Sequence, residues 1–128
     1  MKISWEQFDR DCERLAKLIK EHSYYNQRIS CFYAIPKGGF FVAARIAYLL
    51  DINKNRLRSF TNLVLILSND FIVDDFYDTG KTYNEIDMGP DGFFACLYTK
   101  ERIAPVPSEI IIGRQLKTSN HVWMPWGD

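Results

Sequence analysis

Two adjacent carboxylates, Asp74 and Asp75, followed closely by Asp78-Thr79-Gly80-Lys81-Thr82, give the chain its clearest chemical signal, in the run FIVDDFYDTGKT. Phe71, Ile72 and Val73 read as a short buried strand that delivers the acids to its C-terminal end, the edge at which open α/β sheets bind ligands. Neighbouring side chains on an extended strand point to opposite sides, so the pair cannot face one small ion without a bend. It can reach two sugar hydroxyls, or one hydroxyl and a bound cation. The following residues turn the chain into a helix, and short hydroxyls, a glycine and exposed amides at a helix start form a cradle for phosphate. Gly80-Lys81-Thr82 imitates the end of a nucleotide P-loop. That motif needs a glycine where Asp75 stands, and a carboxylate there would repel phosphate. With Asp78 as a helix cap and the other acids as surface charge, each piece has a structural explanation, but the whole run does not.

The elements that must position these residues alternate between helix and strand. Ser4 and Gln7 have capping-box spacing, so a helix starts at about Trp5, with Phe8, Cys12, Leu15 and Ile19 on its apolar stripe. Ile29 to Ile35 is an apolar run of strand length ending at Pro36-Lys37-Gly38-Gly39. Phe40 to Leu50 then reads as a helix apolar nearly all round, and therefore largely buried. Strands are expected at Leu57 to Phe60, Leu63 to Leu67, Phe71 to Val73, Phe93 to Tyr98 and Glu109 to Ile112. Ser68-Asn69-Asp70 reads as a turn, a short helix is expected over Thr82 to Met88, and Pro105 and Pro107 mark a loop. The expected fold is one α/β domain over residues 1–128, with a mainly parallel central sheet flanked by helices.

Composition narrows the partners. The chain has 128 residues, 16 basic and 16 acidic, for a formal net charge of zero. That balance argues against a dedicated nucleic-acid binder, which carries a basic excess. No apolar run reaches the roughly 18 residues of a membrane span, and the N-terminal stretch is charged and amphipathic rather than a signal peptide. A cytoplasmic location is expected. Cys12, Cys31 and Cys96 are isolated, without metal-ligand spacing, and read as free thiols. Lys54, Arg56 and Arg58 read as a solvated basic face. Arg45 reads as a residue able to reach an acid or a subunit interface. Neither His22 nor His121 has a partner motif.

The run from Phe71 to Thr82 resembles the signature of the type I phosphoribosyltransferases: an apolar strand, two acids, two variable residues and Asp-Thr-Gly-x-Thr. Within that family the chain is most similar to the purine branch, the xanthine-guanine and hypoxanthine-guanine enzymes, over roughly Ile29 to Trp126. Pro36-Lys37-Gly38-Gly39 stands where the family has its first loop. Lys100 ends a later strand, and Val122-Trp123-Met124-Pro125-Trp126 stands for its aromatic tail. The resemblance implies transfer of a phosphoribosyl group from 5-phosphoribosyl 1-pyrophosphate to a 6-oxopurine (guanine, xanthine or hypoxanthine), with release of pyrophosphate. It implies that Lys37 and Gly38 bind pyrophosphate, and that Asp74 and Asp75 hold the ribose hydroxyls, with Asp75 the partner of a magnesium ion. Thr79, Gly80, Lys81 and Thr82 would clamp the 5′-phosphate, and Asp78 would face the base nitrogen as general base. Lys100 would donate to the 6-oxo group, Trp123 would stack on the purine, and Met124 would offer backbone contacts. Gly127 separates Asp128 from Trp126, a departure from the family's tail, so Asp128 is given no role.

One departure bears on turnover. Ser68-Asn69-Asp70 alone separates the apolar run at 63–67 from Phe71, where the family usually carries a long loop that closes over the site. A phosphoribosyltransferase is therefore the leading reading. A non-catalytic module that binds phosphoribosyl pyrophosphate or nucleotides is the alternative, and a phosphoryl-transfer enzyme or a pyrimidine-specific transferase comes behind both. Exposed aromatics in so small a domain point to a homodimer.

Overall fold

The computed structural model describes residues 1–25, 31–61, 66, 70–88, 92–101 and 105–127. Helix α1 (Trp5–Glu21) begins where the sequence places it: the Ser4 side chain accepts from the Gln7 amide at 3.1 Å. The capping box closes on one side only, because the Gln7 side chain bonds to Asp11 instead. Strand β1 (Phe32–Ala34) leads into helix α2 (Gly38–Leu49), and a 3-10 turn at Lys54–Arg56 leads into β2 (Leu57–Ser59). Strand β3 (Phe71–Tyr77), the single-turn helix α3 (Lys81–Asn84), β4 (Phe93–Lys100) and β5 (Ile111–Leu116) complete the order.

All five strands are parallel, in the spatial order β2-β1-β3-β4-β5. Chain direction across the sheet reverses between β1 and β3, so the topological switch lies at their carboxyl ends. Alternation along the strands divides the core. Phe32, Phe71, Val73, Phe93 and Ala95 face the helices α1 and α2, while Tyr33, Ile72, Phe94 and Cys96 join Ile66 and Ile110 in a second cluster. The row Asp75–Leu97–Gly113 is missing from the pairing register on both sides of β4. Beyond it the burial pattern changes sides: Cys96 belongs to the second cluster, whereas Tyr98 and Phe76 pack with the first. Tyr98 thereby reaches α1, where its hydroxyl donates to the buried Asp11 carboxylate at 2.6 Å.

Several expectations are corrected. Strand β3 runs on to Tyr77, so Asp74 and Asp75 lie within it rather than at its end; parallel partners in β4 extend the ladder. Strand β5 starts at Ile111 and continues to Leu116, leaving Glu109 outside to accept from the Tyr83 hydroxyl at 3.0 Å. The helix expected over Thr82 to Met88 is one turn long, because Met88 is drawn into a parallel bridge with Ile66. Helix α2 starts two residues early, and its apolar outer face is not buried: Phe40, Phe41, Ala44 and Tyr48 are exposed. Asp70 is no surface turn residue; it is buried, and its carboxylate accepts from the Cys31 amide at 3.2 Å. Apart from Ile66 and Asp70, the expected strand at 63–67 and the short connection after it lie outside the described residues. Residues 29 and 30 of the expected first strand do too, as does Asp128.

Candidate functional site

The carboxyl ends of β1 and β3 bring together the turn before α2 and the acid pair. Gly38 lies against the Asp75 carboxylate so closely that any Cβ at that position would overlap it. A Cβ on Gly39 would come within 2.9 Å of the Val73 carbonyl. The first turn of α2 therefore sits directly on β3, and only glycine permits that approach. The Pro36–Lys37 peptide is cis, and Lys37 caps the helix with no side-chain hydrogen bond, its own side chain exposed.

Asp74 is 7% exposed, and its Oδ1 accepts from the Asp75 amide at 2.8 Å. Burial, then a hydrogen bond to the Asp75 side chain and the repulsion between the two acids, raises its carboxyl to about 8. At neutral pH Asp74 thus keeps a proton and shares it with the half-buried Asp75. The two side chains expected to diverge are in contact, and this happens where the pairing register skips a row. Two carboxylates sharing a proton are a donor set for a hard cation, which displaces that proton. No cluster of three or more His, Cys, Asp or Glu side chains able to hold a metal occurs among the described residues. A magnesium ion here would take most of its coordination from water and from a phosphate-bearing ligand.

After β3, Gly80 adopts a left-handed conformation (φ 85°), and a Cβ there would lie 2.5 Å from the Tyr77 hydroxyl oxygen. Tyr77 packs under the turn and supports it. Thr79 Oγ1 accepts from the Lys81 amide at 3.3 Å, so one of the amides expected to meet phosphate already has a weak internal partner. A cavity of about 80 Å³ lies over this turn, lined by Asp74, Phe76 and the whole stretch 77–83.

Two further cavities open beside it. One, of about 180 Å³, is lined by Tyr77, Asp78, Thr99, Lys100, Glu101 and Ser119. The other, of about 230 Å³, is lined by Phe76, Asp78, Lys100, His121 and Val122. Asp78 borders all three cavities, and Lys100, whose ammonium lies 5.8 Å from the centre of the Phe76 ring, borders two. The Thr99 hydroxyl donates to the Tyr77 carbonyl at 3.0 Å and ties the ends of β3 and β4 together.

The structure brings together Asp74, Asp75, Asp78 to Thr82, Lys100, and the turn Lys37-Gly38. Trp123 and Met124 do not line these cavities. Lys2 and Trp123 form a parallel bridge, with the Ile3 amide donating to the Trp123 carbonyl at 2.9 Å, and the Met124 side chain joins the helix-side core. The tail presents His121 and Val122 instead, the imidazole meeting the Trp123 ring edge-on at 4.4 Å. Sequence reasoning passed over Phe76, Tyr77, His121 and Val122. No local signal marks them, since the bridge between Lys2 and Trp123 joins the two ends of the chain.

No protein-family model matches the sequence. Solved structures do match it. A purine phosphoribosyltransferase from Pyrococcus horikoshii Ot3 superposes with a TM-score of 0.70 at 22% identity, covering 100% of this chain and 94% of that one. The xanthine-guanine-hypoxanthine phosphoribosyltransferase of Helicobacter pylori gives 0.74 at 15% identity, covering 98% and 92%. A hypothetical protein from Neisseria gonorrhoeae with bound ppGpp gives 0.69 at 18%, covering 98% and 89%. At these identities the likeness establishes the fold. The protein has the fold of the type I phosphoribosyltransferases, as the resemblance of its acidic run implied.

Proposed function

We propose that the protein transfers a 5-phosphoribosyl group from 5-phosphoribosyl 1-pyrophosphate to a 6-oxopurine. The observation that carries this reading is the position of Asp78, which borders both the cavity over the phosphate-type turn and the two cavities beside Lys100. A carboxylate between an anion cradle and a ring-sized space is where a base nitrogen would meet an anomeric carbon.

In this reading the Thr79 and Thr82 hydroxyls and the turn amides hold the 5′-phosphate, and the Asp74–Asp75 pair holds the ribose hydroxyls. The pyrophosphate lies toward Lys37 and the start of α2, where unpaired helix amides favour negative charge. The purine nitrogen attacks C1′ as the bond from C1′ to the pyrophosphate oxygen breaks. The proton leaves the base for Asp78, and the pyrophosphate carries away the electron pair. Lys100 donates to the 6-oxo group and so disfavours a 6-amino base. When bound, magnesium neutralises charge on the pyrophosphate; Asp75, with Asp74, is the side-chain site that fits it. Positioning and electrostatics supply most of the rate. The sugar pyrophosphate and three free thiols fit a reducing cytoplasm. No helix among the described residues is long and apolar enough to cross a membrane.

A second reading is a module that binds a nucleotide without turning it over. The likeness to a ppGpp-bound protein favours it, since the same three cavities offer a ring site beside an anion site. Incubation with phosphoribosyl pyrophosphate, magnesium and each base in turn, with detection of the nucleotide, separates the two. Product with guanine, xanthine or hypoxanthine supports the enzyme. Binding without product from any base leaves the module, and product only with uracil or orotate excludes the purine assignment.

A further inference from the structure

We propose that Glu101 is a specificity-determining residue at the base site and that it selects guanine among the 6-oxopurines; the inference rests on the proposed phosphoribosyl transfer. Asp78, Lys100 and Glu101 border one cavity of about 180 Å³. Their order along its rim follows from the sheet. Asp78 comes after β3, and Lys100 ends the neighbouring strand β4. The Glu101 amide donates to the Leu116 carbonyl, at the end of β5, at 3.2 Å. That hydrogen bond uses the backbone donor of Glu101, so what the residue adds to the cavity is acceptor oxygen. No ion pair joins Glu101 to Lys100 among the described residues, which leaves the ammonium and the carboxylate of adjacent residues for a ligand.

The order matches one purine. Going round the ring from the imidazole nitrogens, guanine presents its 6-oxo acceptor, then the N1–H donor, then the 2-amino donor. With the imidazole side at Asp78 and the 6-oxo group at Lys100, positions 1 and 2 come to Glu101, whose carboxylate can accept from both. Hypoxanthine keeps N1–H but carries only a carbon-bound hydrogen at position 2, so it makes one of these two bonds. Xanthine sets an oxo group against the carboxylate, two acceptors with no proton between them. Adenine is wrong at both ends, with an amino group against the ammonium and a bare N1 against the carboxylate. A hydrogen bond to a charged group is worth a factor of roughly 10 to 100, and the lower part of that range applies to an exposed residue such as Glu101. Lys100 thus separates oxo from amino at position 6, and Glu101 separates the oxopurines from one another at position 2.

The test compares kcat/KM for guanine, hypoxanthine and xanthine, with phosphoribosyl pyrophosphate and magnesium, in the wild type and in Glu101→Gln and Glu101→Ala. The wild type should prefer guanine by roughly 10-fold over hypoxanthine and roughly 100-fold over xanthine. Glu101→Gln, whose amide can turn a donor toward a 2-oxo group, should raise xanthine, lower guanine and bring the two near parity. Glu101→Ala should bring guanine down to the level of hypoxanthine. Glu101 is exposed and its backbone bond to Leu116 survives both changes, so folding is not at stake. A wild type that uses xanthine or hypoxanthine as well as guanine overturns the inference. So does a loss shared equally by the three bases, which is what a merely structural role would give. If no base yields nucleotide, the transfer itself fails, and calorimetry with the guanosine, inosine and xanthosine monophosphates decides the inference on its own. Tighter binding of guanosine monophosphate by the same factors upholds it; equal affinities, or no binding, overturn it.

Discussion

Replacing Asp74 by asparagine should abolish one component of the pH dependence of stability. In the folded chain the Asp74 carboxyl titrates at about 8, against an ordinary 3.8. A carboxyl raised on folding contributes stability that is fully present below its unfolded pKa and is lost as pH rises through the folded one. The affected window therefore runs from about pH 4 to pH 8. Within it the folded state holds a proton that the unfolded chain has released, and each pH unit costs ~1.4 kcal/mol. Between pH 5 and pH 7 wild type should lose roughly 3 kcal/mol that the variant keeps. An asparagine can still accept from the Asp75 amide and donate to the Asp75 carboxylate, so the local hydrogen bonds survive. Urea unfolding at pH 5, 6, 7, 8 and 9, with EDTA present, measures the difference. With a slope of ~1–3 kcal/mol/M, the difference between the two midpoints should change by about 1–3 M across that interval, wild type losing ground. Parallel profiles, within about 0.5 kcal/mol of each other, would refute the shared proton.

Asp78→Asn should retain the affinity for phosphoribosyl pyrophosphate, measured by calorimetry, and lose turnover by at least ~100-fold, the usual share of a general base. Near-normal turnover would remove Asp78 from the chemistry. Magnesium alone should hardly move the melting temperature, since the proposed site offers it just two carboxylates among the described residues, whereas magnesium with the sugar pyrophosphate should raise it by several degrees. A large shift from the metal alone would show a site of different composition. Gly80→Ala imposes strain at φ 85° and a clash with Tyr77, and should cost about 1–2 kcal/mol in a urea melt as well as phosphate affinity. Asp11→Ala leaves the Tyr98 hydroxyl without its 2.6 Å acceptor and should cost roughly 3 kcal/mol. A loss below ~1 kcal/mol would show that the network linking α1 to the sheet is dispensable.

What the sequence discloses follows from how local the determining forces are. Helix α1 is legible because a cap and an amphipathic stripe are properties of consecutive residues. The acidic run is legible because its cradle is built within about ten residues. The outer face of α2 is not, because an apolar helix looks the same whether its own chain or another covers it. The contact between Asp74 and Asp75 is equally hidden, since simple alternation separates neighbours and the skipped row depends on β4 and β5. Trp123 looked like the stacking residue because of its type. Pairing of Lys2 with the tail, across almost the whole chain, holds it away from the cavities and presents His121 there.

Gly38 has a mechanical consequence. With its backbone packed against the Asp75 carboxylate, the first turn of α2 closes that side of the acid, so a ligand must approach Asp75 from another side. Any side chain at position 38 would claim the room the carboxylate occupies, so the helix start and the acid pair form one continuous surface.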